Sequence, residues 1–301
     1  MKTFKRSLLI ILAVLIGLTT VSPCQAMLDF GGLKEHWNQW MAERRGRQLI
    51  EAIETNNDQW FDTLMMEGAN VNAVVKFVIT KDFLLKVLPK NKSIALSAIP
   101  PHTSEPATTT PLLAAVCTKR TDFIKRLLMA FANIDFQDAQ GSTALMYAAQ
   151  SGCPDICNQL ITANANLMLC DKRQNTLLII ATRSNDPTII GIIIEELKKS
   201  QRLGLLINAI NHHGETALIA ATKYALLNCQ FAHENRKKLF ENLENIIRIL
   251  LNAGATIAQK DTDGCTALDY AEQLLLDTPI DAPAIHKIIK LLTKAEEQKY
   301  E

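Results

Sequence analysis

The sequence predicts an all-α solenoid of about six stacked helix-turn-helix units, on three observations. A short motif opening with threonine recurs at Thr110 (TPLLAAV), Thr143 (TALMYAA), Thr176 (TLLIIAT), Thr216 (TALIAAT) and Thr266 (TALDYAE). Thr110 to Thr143 and Thr143 to Thr176 are both 33 residues, a period at which supersecondary units repeat. Within a period the apolar positions form two helical stripes on either side of a glycine. From Thr143 the first stripe is Leu145, Ala148 and Ala149, small enough for neighbouring helices to approach closely; Gly152 marks the reversal. Ile156, Cys157, Leu160 and Ile161 make the second stripe, and Asn164 to Asn166 end the unit. A helix pair of this size cannot bury both faces alone, so successive units must stack.

The elements follow in order. Residues 1–26 carry Lys2, Lys5 and Arg6, then SLLIILAVLIGL, then TTVSPCQA, the layout of a secretory signal peptide cleaved after Ala26. Its apolar run of roughly a dozen residues is shorter than the ~20 needed to cross a bilayer, so no membrane span is expected after cleavage. A lipid on Cys24 is the alternative, and Pro23 before it fits that signal poorly. Residues 27–46 read as an N-terminal helical cap, with Trp37 and Trp40 on one face. The repeat domain is expected at 47–298, with units near 47–72, 110–142, 143–175, 176–215, 216–265 and 266–298. The spacing grows to 40 residues between Thr176 and Thr216 and to 50 between Thr216 and Thr266. An insertion at 73–106 follows the degenerate first unit and reads as a short strand or helix with a Pro/Thr loop. The stretch 222–245 reads as lengthened helices with a charged crossing loop at His233 to Lys238, and AIHKIIKLLTKAEEQKY as a C-terminal cap.

Composition narrows the function. The 301 residues include 32 Lys+Arg and 31 Asp+Glu, a balance that argues against nucleic acid as a partner. Loss of the leader removes three positive charges and no negative ones, taking the formal net charge from +1 to −2. Six cysteines follow the leader: Cys117, Cys153, Cys157, Cys170, Cys229 and Cys265. Export permits disulfides, but a body of this size does not need them, and Cys153 and Cys157 have three residues between them where a CxxC site has two.

No GxxxxGK, HExxH, GxSxG or CxxC motif is present, so no enzyme activity, metal or cofactor is expected. The cluster NHHGE holds metal-ligand types in His212, His213 and Glu215, yet adjacent residues of an extended segment point to opposite sides. Cys157 occupies a core position and Cys153 the turn before it, so a thiol-dependent enzyme is a remote alternative. The sequon at Asn91 matters only in a glycosylating host.

TPLLAAV with RLLMAFANIDFQDAQG, and NIIRILLNAGATIAQKDTDGCT, resemble the ankyrin repeat over roughly residues 47 to 295. The histidine that the family places after its Thr-Pro-Leu start is replaced by Leu113, Met146, Ile179, Ile219 and Asp269, so apolar contact must carry more of the stacking. The resemblance implies β-hairpin fingers between units and recognition of a protein through finger tips and exposed inner-helix positions. Carried over by position, these are Gln140, Ser142, Gln150 and Ser151 in the third unit, and Lys172, Arg173, Asn175, Arg183 and Ser184 in the fourth. The fifth contributes His212, His213, Glu215, Lys223 and Tyr224, and the sixth Thr262 and Asp263. Lys172, Arg173, Arg183, Lys223 and Tyr224 form a mildly basic strip, which suggests an acidic partner surface. The expectation is a non-catalytic protein-binding module, monomeric, bacterial in the style of its leader, and periplasmic or secreted. A structural or protective periplasmic scaffold is the alternative.

Overall fold

A computed structural model describes residues 33–77, 107–229 and 235–297. The expected leader, most of the expected insertion and residues 230–234 of the expected crossing loop lie outside the described residues, as do the side chains of Trp37 and Trp40. In chain order the elements are α1 (Leu33–Glu54), α2 (Asp58–Met66), β1 (Val75–Phe77), β2 (Ala107–Thr109), α3 (Pro111–Cys117) and α4 (Thr121–Met129). Next come α5 (Ala144–Gln150), α6 (Pro154–Thr162), α7 (Leu177–Thr182), α8 (Pro187–Lys199) and α9 (Leu203–Leu206). The chain continues with α10 (Ala217–Cys229), α11 (Arg236–Asn252), α12 (Ala267–Asp277), a 3-10 turn (Pro279–Asp281) and α13 (Ala282–Glu297).

The recurrent threonine is a helix start. Each of Thr110, Thr143, Thr176, Thr216 and Thr266 accepts, on its side-chain oxygen, the backbone N–H three residues on, at 3.3–3.4 Å. Such a cap satisfies an amide that the helix leaves without a partner, worth about 1 kcal/mol each. Asp269 adds the reciprocal bond, accepting the Thr266 N–H at 2.7 Å and closing a capping box. Those bonds hold the Asp269 carboxyl below its ordinary range. At the family's histidine position, Leu113, Met146, Ile179 and Ile219 are buried, whereas Asp269 is spent on the helix start.

Inner helices α1, α3, α5, α7, α10 and α12 pack side by side in sequence order. Behind them α6, α8, α11 and α13 form part of an outer row. A single cluster of buried side chains runs from Leu49 to Leu292 through both rows. The inner helices α3, α5 and α7 are short, at 7, 7 and 6 residues, and mostly buried; every residue of α7 is buried. The outer helices show one buried stripe, as Ile189, Ile190, Ile193, Ile194 and Leu197 do on α8. Arg126 fastens the first two units, lying 4.3 Å over the Phe61 ring and pairing with Asp58 and Asp62 of α2.

One helix, α1, spans the expected cap and the start of the first unit without a break. β1 pairs with β2 antiparallel, Val75 opposite Thr109, a two-stranded ladder that is the only sheet among the described residues. The long spacings are absorbed by longer helices: α8 has 13 residues and is followed by α9, while α10 and α11 have 13 and 17.

Ala148 is 1% exposed on α5, between α3 and α7. Ala148→Leu is expected to lower stability by about 1–2 kcal/mol through overpacking. An unchanged midpoint of urea unfolding would contradict this packing.

Candidate functional site

The linkers between units carry the fingers, and four of them share one construction. Asp138, Asp171, Asn211 and Asp261 each accept two backbone N–H groups on one side-chain oxygen, from the residues two and four positions on, at 2.8–3.0 Å. The backbone of each closes the loop, as in Asp138 N–H to the Ser142 carbonyl at 3.1 Å. A short polar side chain that binds its own loop is the mechanism by which Asp and Asn favour turns. Neighbouring fingers are then joined by bonds between their main chains. The N–H of Lys172 donates to the Gln140 carbonyl at 2.9 Å, His212 to Arg173 at 3.0 Å, and Thr262 to His213 at 2.9 Å. The tips therefore stand in a fixed row.

The structure sorts the sixteen expected contact residues into three groups. Gln140, Gln150, Ser151, Lys172, Arg173, His212, His213, Thr262 and Asp263 are exposed. Ser142, Arg183, Ser184, Glu215, Lys223 and Tyr224 are half-buried. Asn175, at 1% exposure, is no surface residue. Its amide donates to Asp171 at 2.7 Å and its carbonyl oxygen accepts from Asn211 at 2.9 Å, so it ties the fourth finger to the fifth.

The basic strip also needs correction. Lys223 Nζ lies 2.8 Å from Glu215, 3.4 Å from Asp261 and 3.4 Å from Asp263, bridging its own finger to the next. Burial works against its charge, but the bonds to Glu215 and Tyr270 prevail and raise the ammonium above its ordinary value. Arg183 holds the corresponding place one unit earlier, on the seventh residue after Thr176 as Lys223 is after Thr216. Burial pulls the guanidinium down, opposed by Asp171 of its own finger and Glu215 of the next. Lys223 thus binds the last two units together before it meets any partner.

Sequence reasoning overlooked Tyr147 and Tyr270. Each phenol donates to the finger carboxylate nine residues before it, Asp138 and Asp261, at 2.6 Å. The signal was available as Asp-x8-Tyr in two units. Burial and the bond to Asp261 push the Tyr270 hydroxyl up to about 12.

Among the described residues there is no group of three His, Cys, Asp or Glu set to hold a metal, and no helix long and apolar enough to cross a membrane. Among the described residues, Cys117, Cys153, Cys157, Cys170, Cys229 and Cys265 form no disulfide. Burial, with Cys153 and Asp186 nearby, pushes Cys157 up to about 12, the reverse of what a nucleophilic thiolate requires. In the native protein at neutral pH, Cys157 should resist iodoacetamide and label only after denaturation. Native labelling at the rate of a free cysteine, read by peptide mass, would refute this.

Residues 82–171 match the family model for ankyrin repeats, in three copies. That stretch carries ankyrin repeats. A solved ankyrin repeat domain from Acinetobacter baumannii superposes with a TM-score of 0.57 at 19% identity, over 82% of this chain and 97% of that one. A chain of the solved complex between a predatory endopeptidase from Bdellovibrio bacteriovorus and an immunity protein superposes with a TM-score of 0.52 at 24% identity, over 80% and 97%. These likenesses establish the ankyrin fold across most of the chain. No curated protein matches it. The ankyrin repeat is a protein–protein interaction module and in general a non-catalytic scaffold.

Proposed function

We propose that this chain is an exported, non-catalytic module that binds one protein partner through its finger tips and the exposed ends of its inner helices. The observation that carries the reading is the row of tips held by main-chain hydrogen bonds. Side chains presented on a fixed backbone lose little further freedom on binding, which favours affinity. The exposed members are polar and close to the scaffold, and the similar chain from the Bdellovibrio bacteriovorus structure comes from a complex of two proteins. The leader at 1–26 supports export to the periplasm or beyond, and the module is expected to act as a monomer.

The test is affinity capture from envelope extract and host lysate, with wild type beside Gln140→Trp/Gln150→Trp. Both sites are exposed, so the bulky neutral rings should obstruct the groove without disturbing the fold. A protein retained by wild type and lost from the variant is the expected result. Identical retained sets would remove the groove from consideration. Export is checked separately, by the mass of the protein recovered from fractionated cells. A chain still carrying residues 1–26 in the cytoplasm would overturn that part. Retention within the envelope would favour a periplasmic role and release a secreted one.

A further inference from the structure

Lys223 is enclosed by Glu215 of its own finger, by Asp261 and Asp263 of the next, and by the Tyr270 ring, whose centre lies 5.2 Å from its Nζ. One unit earlier, counted from the threonine starts, those four places hold Asn175, Asn211, His213 and Ala220. The cation is present there as Arg183, and its acids are not. Asn175 turns its side-chain oxygen to Asn211, and Asn211 turns its own to the finger's backbone N–H groups, so neither offers Arg183 an acceptor. Among the described residues the Arg183 side chain makes no hydrogen bond or ion pair, and neither does the hydroxyl of Tyr224 beside it. Both side chains are half-buried. The other two tyrosines of the inner helices, Tyr147 and Tyr270, each donate to a finger carboxylate. A partly enclosed donor with no acceptor is costly, and a partner that supplies one restores the bond.

We propose that Arg183 and Tyr224 together take the side-chain amide of an asparagine or glutamine from a protein partner. This deepens, and rests on, the partner-binding reading above. Charge disfavours the ionic alternatives. Arg183 feels Asp171 and Glu215 on one side of the balance and Arg173 on the other, two carboxylates against two cations. Asp138, one finger back, adds a further carboxylate, and Lys223 is engaged by its own acids. An anion brought to Arg183 would meet Asp171 and Glu215, and a cation would meet Arg183 and Arg173. A neutral amide meets neither repulsion. Its carbonyl oxygen accepts from the guanidinium fork and the phenol, and its N–H groups find carboxylates with room to accept. Asp171 takes three hydrogen bonds and Glu215 two, of about four that a carboxylate accommodates. The group comes from a side chain because Arg173, His212 and His213 stand exposed at the neighbouring tips, whereas Arg183 and Tyr224 lie half-buried on the inner helices.

The test uses the full chain with isotope-labelled arginine, the Arg183 Nε–H resonance being identified by its loss in Arg183→Lys. The probe is N-acetyl-glutamine methylamide, with the glutamate, lysine and norvaline counterparts as controls. The glutamine compound should shift that resonance saturably, with an apparent Kd at least about threefold below those of the controls, and Tyr224→Phe should weaken it about threefold. No saturable shift, or an equal response to the glutamate compound, overturns the proposal. Arg183→Met should leave the midpoint of urea unfolding where it is, because no acid loses an ion pair. A fall as large as that of Lys223→Met would show that Arg183 is engaged within the fold, and would overturn the proposal as well. The capture experiment separates the two readings. A partner lost from Gln140→Trp/Gln150→Trp but kept by Arg183→Met removes the amide chemistry and leaves the module standing. Retention by the tryptophan variant removes the module itself.

Discussion

Gly141→Ala is expected to destabilise the protein by about 3 kcal/mol, and Gly264→Ala by only about 1 kcal/mol. Both glycines have φ +78° and the same place in their fingers, so the cost of a left-handed alanine is common to the two. Their surroundings differ. A Cβ on Gly141 would stand 2.8 Å from the Lys172 backbone nitrogen and 3.2 Å from Asp171, whereas nothing lies within 4 Å of one on Gly264. The fourth finger would have to retreat, stretching the bond from Lys172 N–H to the Gln140 carbonyl. Gln174 holds the corresponding site in the fourth finger at φ 60°, so a left-handed side chain is accepted where the neighbour leaves room. Urea unfolding of the two variants gives the comparison. Equal losses would mean that the fingers are not in register contact.

Lys223→Met is expected to cost about 2–3 kcal/mol at neutral pH. Asp261 has no side-chain exposure and Glu215 only 13%, so removing the cation leaves two enclosed carboxylates facing each other across the junction of the last two units. Breaking a buried pair costs roughly 3–5 kcal/mol, reduced here because Lys223 itself is 26% exposed. The pH dependence has a definite sign. Burial tends to raise Asp261, but the bonds from Tyr270, Cys265 and Asp263 and the charge of Lys223 prevail and hold it below its ordinary value. A depressed carboxyl stabilises the fold above the unfolded value of about 3.9, and that contribution is lost as pH falls through the folded value. The variant lacks one of the lowering influences, so its Asp261 should protonate at higher pH. The gap between wild type and variant should narrow below about pH 4. A gap that stays constant from pH 7 to 3 would show that Lys223 acts through packing of its chain alone.

The architecture was legible because it is local and repeated. The 33-residue spacing, the threonine starts and the Ala-rich stripe are each visible within one unit, and each maps onto a capped inner helix in the stack. What the sequence hid depends on contact between units. Asn175 reads as a surface polar residue until Asn211, 36 positions on, is seen to enclose it. Lys223 reads as a free base, although its acids lie up to 40 positions away on the next finger. Asp269 looks like a lost stacking contact, but its work is done within three residues, on the Thr266 cap. Gln140, Lys172, Arg173, His212, His213, Thr262 and Asp263 are exposed because the fingers present their tips by construction, and Gln150 and Ser151 because they end α5.

The bonds that Lys172, His212 and Thr262 make to the finger before pass from amide to carbonyl and involve none of those three side chains. Holding the row and choosing a partner are therefore written in different parts of the same residues. A lineage can exchange Gln140, Lys172, Arg173, His212, His213 or Thr262 one at a time, and each intermediate keeps its shape while its preferences drift. Specificity on such an edge is inherited like spelling, letter by letter, on a page that does not move.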